Sequence, residues 1–259
     1  MKNIFSLVKR FTPTVLICFV AILLCSYSAQ SQQMPEMNKD SSSVKKQSMN
    51  DYEEIAHPFF THMGIPEAVG TYSLRTAALL TQVDGKSKAD FALHFETGLS
   101  KFVGLHIRND RFFDNSHSEI MFQFAVIRSI DGMSGFSPII EFEIPTKKDA
   151  SRVNTLVGFS SALVRSRFSI NQVLHYNPRE DMLDGSIALV YKVTKGVFLV
   201  VEMLGDKMQK EPAIINVLAG VKVKVYKSFI LGFGYQHPIT NNKDFSSQYI
   251  FQPDMEWKR

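Results

Sequence analysis

From Thr71 to the end of the chain, hydrophobic residues recur with a period of two. Between Ser228 and Gln236 the odd positions are Phe229, Leu231, Phe233 and Tyr235, while Ser228, Gly232, Gly234 and Gln236 are polar or small. From Asn216 to Val225 the odd positions are Val217, Ala219, Val221, Val223 and Val225, against Asn216, Gly220, Lys222 and Lys224. Phe91, Leu93 and Phe95 alternate with Ala92, His94 and Glu96, and Val103, Leu105 and Ile107 with Gly104, His106 and Arg108. The pattern predicts about twelve strands, near 71–81, 88–98, 102–109, 118–129, 136–144, 153–164, 167–176, 184–193, 197–204, 213–225, 228–237 and 246–257.

The connections between these segments alternate in length. Leu99 to Lys101, Ile130 to Gly135, Arg165 to Ser166, Thr194 to Gly196 and Tyr226 to Lys227 are short. Gln82 to Ser87, Asp110 to His117, Pro145 to Arg152, Asn177 to Leu183, Gly205 to Pro212 and Pro238 to Phe245 are longer. A transmembrane barrel has this alternation, with tight periplasmic turns and longer external loops. The segments also approach the roughly 9–11 residues that a tilted strand needs to cross a bilayer. A soluble barrel or sandwich would alternate as well, but with its apolar face inward. Here the polar face collects Gln123, Asn154, Asn171 and His175, which suits a wet interior, while the apolar face carries few charges and suits lipid. Tyr72, Phe136, Tyr176, Tyr191, Tyr235, Tyr249 and Trp257 lie near segment ends, as interfacial girdles require. The expectation is an all-β fold: an antiparallel outer-membrane barrel over residues 70–259.

The chain upstream is different. Val15 to Cys25 is an apolar run that follows Lys9 and Arg10, and it falls short of the roughly 20 residues of a spanning helix. With the small residues Ser26, Ser28, Ala29 and Ser31 behind it, residues 1–31 read as a signal peptide. Both cysteines, Cys18 and Cys25, lie inside that run, so the mature chain has no disulfide or thiolate chemistry. Residues 32–69 read as a flexible N-terminal segment, with a short helix from Met49 to Ala56 ended by His57–Pro58. Tyr52, Ile55, Phe59, Phe60, Met63 and Ile65 make its second half apolar. The barrel's periplasmic mouth is the nearest surface able to cover them, so one expectation is that residues 50–66 cap or partly plug it, and the other is a disordered periplasmic tether. Inward glycines such as Gly104, Gly220, Gly232 and Gly234 would leave room.

Charge changes little in this picture. The formal net charge is +4, but Lys2, Lys9 and Arg10 precede any acid, and the remainder is 26 basic against 25 acidic residues. No basic run of the kind that tracks phosphates occurs, so nucleic acid is not an expected partner. The 45% hydrophobic content excludes a disordered chain.

The turn units Glu96 to Phe102 (ETGLSKF) and Ala219 to Gly232 (AGVKVKVYKSFILG), and the ending Tyr249 to Trp257 (YIFQPDMEW), resemble those of bacterial outer-membrane β-barrel proteins. They resemble especially the small transporter-like group named after a phenol-degradation pathway. Two departures stand out: Lys258 and Arg259 follow Trp257, and Pro253 interrupts the last strand, where it suggests a bulge or early strand end. The resemblance implies passage of small solutes across the outer membrane of a Gram-negative bacterium. It also implies a last strand presented to the barrel insertion machinery, and outer-membrane lipid as the surrounding partner.

The candidate site is therefore the lumen wall. Alternation directs Arg75, His94, Glu96, His106, Arg108, Glu141, Glu143, Lys192, Glu202, Lys222, Lys224, Asp254 and Glu256 inward. Arg75, Lys222, Lys224, Asp254 and Glu256 are expected near the periplasmic end with their signs interleaved, because an unpaired buried charge is costly. His94 and His106 are expected to hydrogen-bond Glu96 or Arg108. No catalytic site is expected: His117, Ser118 and Glu119 are contiguous, so the first two point to opposite faces. No cofactor motif occurs. Met34, Met37, Met49, His57, His62 and Met63 are weak candidates for a soft ion such as Cu(I), in a spacing that matches no closed site. The functional expectation is a passive channel or transporter. A structural or surface-interaction barrel is the alternative, and a barrel linked to copper handling is the second.

Overall fold

The computed structural model describes residues 55–113, 117–129, 133–146 and 152–259. The period-two segments form β1 (Thr71–Val83), β2 (Lys86–Gly98), β3 (Val103–Asn109), β4 (His117–Phe124), β5 (Ile127–Arg128), β6 (Gly135–Pro145), β7 (Asn154–Arg165), β8 (Phe168–Asn177), β9 (Met182–Thr194), β10 (Val197–Met208), β11 (Ile214–Tyr226), β12 (Phe229–Pro238) and β13 (Ser247–Lys258). All pair antiparallel. The pairing β4–β6 closes the order β4-β3-β2-β1-β13-β12-β11-β10-β9-β8-β7-β6 into a 12-stranded barrel, and β5 is a two-residue addition on β6. Closure leaves no unpaired edge, which is the condition for a sheet to sit in lipid.

The exposed side is apolar and the enclosed side largely polar. On β10 Leu199, Val201 and Met203 are exposed, whereas Phe198, Val200 and Glu202 are buried. Arg75, Glu96, Gln123, Asn171, Lys222 and Gln252 rank among the most deeply buried side chains. Tyr72 stacks on Trp257 with centroids 5.8 Å apart at the end where β1 begins, and Tyr235 lies 5.2 Å from Tyr249 toward the other end. These rings are placed as two interfacial belts. The inward face is less uniformly polar than the alternation suggested. Leu79, Phe198, Val200, Leu218, Ile230 and Ile250 face inward and form one buried cluster with Ala56, Phe59 and Phe60 of the N-terminal segment. They can afford to be apolar because a segment of the same chain covers them.

Three local expectations are corrected. The segment expected as one strand over 118–129 is broken. Gln123 opposes Ile139, but Ile127 opposes Phe136, a one-residue shift. The amide of Ala125 instead donates to the Phe102 carbonyl (2.7 Å). A one-residue slip exchanges faces, so Arg128 turns inward and donates to the Pro66 carbonyl. The connection expected as a longer loop over 82–87 is a two-residue turn, with Asp84 at φ 48° and Gly85 at φ 76°. Two positive φ values define the type I′ hairpin, for which Asp-Gly is a preferred pair. Pro253 does not end β13. Its register with β12 continues through Leu231↔Pro253, and only the β1 ladder pauses, between Arg75↔Asp254 and Ala78↔Phe251. A proline removes one donor, and here the strand's other neighbour carries it past the gap.

Of the expected helix from Met49 to Ala56, Ile55 and Ala56 are not helical, and the rest lies outside the described residues. The signal peptide, with Cys18 and Cys25, also lies outside them.

Candidate functional site

Residues 55–70 run through the lumen without regular structure before joining β1. Pro58, Gly64 and Pro66 punctuate the segment, so it cannot form a ladder, and its buried backbone groups need other partners. Wall side chains supply them. Glu202 (β10) accepts from the amides of Phe59, Phe60 (3.1 Å) and Thr61 (2.8 Å), and from the Thr61 hydroxyl (2.9 Å). Successive N–H groups converging on one carboxylate form an anion nest, here filled from the wall. Arg75 (β1) and Lys222 (β11) both donate to the Pro58 carbonyl at 3.1 Å. Gln252 (β13) donates to the Phe59 carbonyl (2.9 Å) and Gln123 (β4) to that of Met63 (2.8 Å). The Gly64 amide donates to Asn171 (β8) at 3.1 Å, and its carbonyl accepts from Ser160 (β7) at 3.2 Å.

The Phe59 ring sits in a socket of missing side chains. A Cβ at Gly220 or Gly232 would lie 2.6 or 2.9 Å from it, and one at Gly234 3.4 Å. Lys222 Nζ stands 4.7 Å over the ring. A Cβ at Gly104 would lie 3.0 Å from Pro66.

Glu96 is the centre of the charged network. It pairs with Arg75, and around it stand His106 Nδ1 (3.3 Å), His57 Nδ1 (3.5 Å) and His62 Nδ1 (3.9 Å). His57 Nε2 reaches Glu67 at 3.3 Å, so this ring bridges two carboxylates. Arg108 pairs with Asp110 and Glu119 and donates to His62 Nε2 (2.9 Å). His94 meets Asp110 at 2.5 Å, and so does not pair with Glu96 or Arg108. Lys222 pairs with Asp254 at 2.6 Å, and the wall acids Glu141 and Glu143 face His175 (3.4 Å) and His117 (3.8 Å). Lys192 is buried, while Lys224 and Glu256 are partly buried on the same alternation as Lys222 and Asp254.

Two compact ligand sets arise in this network: His62, Glu96 and His106, and His57, Glu67 and Glu96. Neither fits a metal ion. A guanidinium can only donate, so Arg108 holds the lone pair of His62 Nε2 and leaves the neutral ring's proton on Nδ1, the atom a metal would need. Arg75 already occupies Glu96, and His57 between Glu67 and Glu96 has the geometry of an imidazolium bridge. Of the weak soft-metal candidates, Met34, Met37 and Met49 lie outside the described residues. Met63 contributes its carbonyl to Gln123.

On the side of the longer loops, above Phe60, the lumen widens into a cavity of about 260 Å³. Asp184, Asp206 and Asp244 line it, together with Asn216, Gln236 and Arg111. Sequence reasoning had not singled out these residues, nor Ser160, Gln252 and Arg128. The three aspartates come from two strand ends and a loop, which no local motif joins.

No family model and no curated protein matches the chain. Solved structures do. The KdgM porin is 11% identical with a TM-score of 0.55, the alignment covering 71% of this chain and 98% of that one. An outer membrane channel from Pseudomonas putida F1 is 8% identical with a TM-score of 0.53, covering 79% and 100%. At such identities the likeness is one of fold, and the fold is that of a porin-like transmembrane β-barrel of the outer membrane.

Proposed function

We propose that the chain is a passive outer-membrane channel for small solutes, closed by its own N-terminal segment and opened when that segment leaves the lumen. The observation that carries this reading is how the segment is held. It is bonded to the wall through side chains of β1, β4, β7, β8, β10, β11 and β13, and among the described residues it enters no strand ladder beyond one bridge, Val69 to Gly98. The barrel's own ladders do not depend on it, so its departure would leave a closed wall with a polar interior. The channel structures of similar fold support the same reading. Export would proceed by removal of residues 1–31, with the barrel insertion machinery receiving β13.

The filled lumen favours a second reading, a surface-interaction barrel that transports nothing. One experiment separates the two. A variant lacking residues 32–66 but keeping residues 1–31 is inserted into planar bilayers and its single-channel current recorded. Steady current well above that of the full chain is expected. A correctly inserted variant with no greater current would overturn the channel and leave the interaction reading standing.

A further inference from the structure

The cavity above Phe60 carries more carboxylates than cations: Asp184, Asp206 and Asp244 line it, with Asp184 and Asp244 open to solvent. Asp206 and Asp244 make no ion pair among the described residues, and Asp184 has only His175, at 3.7 Å. The Asn216 Oδ1 atom is buried with no hydrogen-bond partner. Gln236, only 6% exposed, lines the cavity and makes no side-chain hydrogen bond among the described residues. A buried polar group without a partner is costly, and acceptors gathered in one place call for a donor. Of the two cations on the wall, Arg108 is committed to Asp110 and Glu119. Arg111 is left with Asp206 and Asp244 on the same wall. The rest of the lining includes apolar surface from Phe60, Leu79, Leu204 and Phe245. At about 260 Å³ the space lies below the roughly 300 Å³ at which drug-sized pockets begin.

We propose that this cavity is a recognition site for a small solute carrying a protonated amine on a short apolar body. The ammonium group donates to Asp206 and Asp244, and the body packs against Phe60 and Phe245. The idea deepens the channel reading by naming the class of solute, and it rests on that reading for its biological use. Its test does not, because binding is measured on the full, closed chain without any current.

The purified full-length barrel in detergent is titrated calorimetrically with n-butylammonium, butyrate and n-butanol in turn. Saturable binding of butylammonium alone is expected. Asp206→Asn with Asp244→Asn should weaken it by roughly tenfold or more, the scale of losing charged hydrogen bonds. Gln236→Leu should weaken it less. If the double variant fails to fold, as judged by its mobility on unheated gels, Asp244→Asn alone, on a loop, carries the comparison. No saturable butylammonium binding, equal affinity for butylammonium and butanol, preference for butyrate, or unchanged affinity in a folded aspartate variant would each overturn the proposal. Absence of current in the 32–66 deletion would count against the channel and leave this result intact.

Discussion

Single side chains decide whether the lumen is filled. Gly232 tests this most cleanly, because the nearest atoms a Cβ would meet are the Phe59 ring at 2.9 Å and Lys222 Cγ at 3.2 Å, with no backbone among them. Gly232→Ala should displace Phe59 without damaging the wall. Basal single-channel current is expected to rise while the unfolding midpoint in urea stays close to that of the parent. Unchanged current would mean that the ring adapts within its socket. Two histidines of the segment make docking depend on pH in opposite senses. Burial pushes His57 down, but the bond to Glu96 and the charge of Glu67 outweigh it and hold its pKa above the ordinary 6.5. For His62 burial wins over Glu96, with Arg108 and His106 adding to the fall, and its pKa lies well below 6.5. A raised docked pKa stabilises docking fully below 6.5 and loses that contribution as pH climbs through the raised value. A lowered one penalises docking once pH falls below 6.5, since only the free ring then takes up a proton. Protease protection of the segment should therefore peak near pH 6.5, falling toward the raised value of His57 on the alkaline side and toward the lowered value of His62 on the acid side. His57→Gln should remove the alkaline limb and His62→Gln the acid limb. A flat profile in the parent would exclude both.

Strands and turns were the legible level of this chain. Strand edges fall within a few residues of the period-two segments because lipid on one side and a lumen on the other impose alternation directly. The misreadings arose where something other than alternation governs. The apolar pattern runs unbroken through Ala125 and Val126, so nothing local announces the slip that turns Arg128 toward Pro66. Asp84–Gly85 did carry a signal, an Asp-Gly pair between alternating runs, which the rule of alternating loop lengths overrode. That turn gives a test at its own scale. Gly85 has φ 76° with open space around its Cα, so Gly85→Ala should cost about 1–2 kcal/mol through backbone strain alone. Gly85→Asn should cost less, because Asn tolerates the left-handed region better. Equal losses in urea unfolding would point to a side-chain clash instead.

At the level of the molecule, parity assigns a wall residue to a face wherever the register is unbroken, but it says nothing of that residue's partners. Glu202 was expected on the wall, yet nothing in its neighbourhood indicated that it would receive three backbone amides from residues more than 140 positions away. The outer cavity escaped notice for the same reason, since Asp184, Asp206 and Asp244 converge only once the barrel closes. The whole chain makes a simple prediction. The mature protein should fractionate with outer membranes, resist carbonate extraction and run faster on gels unheated than boiled, as closed barrels do. Recovery from the soluble periplasm would end the membrane reading.

The Phe59 socket also sets an order of events in time. Its floor and walls come from Gly220 and Lys222 on β11, Gly232 and Gly234 on β12, and Gln252 on β13. Phe59 leaves the ribosome 193 residues before Gln252. Contacts this distant cannot form until the intervening chain is in place. The N-terminal segment, although synthesised first, must be among the last parts to settle. Until then the nascent barrel is hollow, and its permeability should fall in a distinct late phase after the wall has formed.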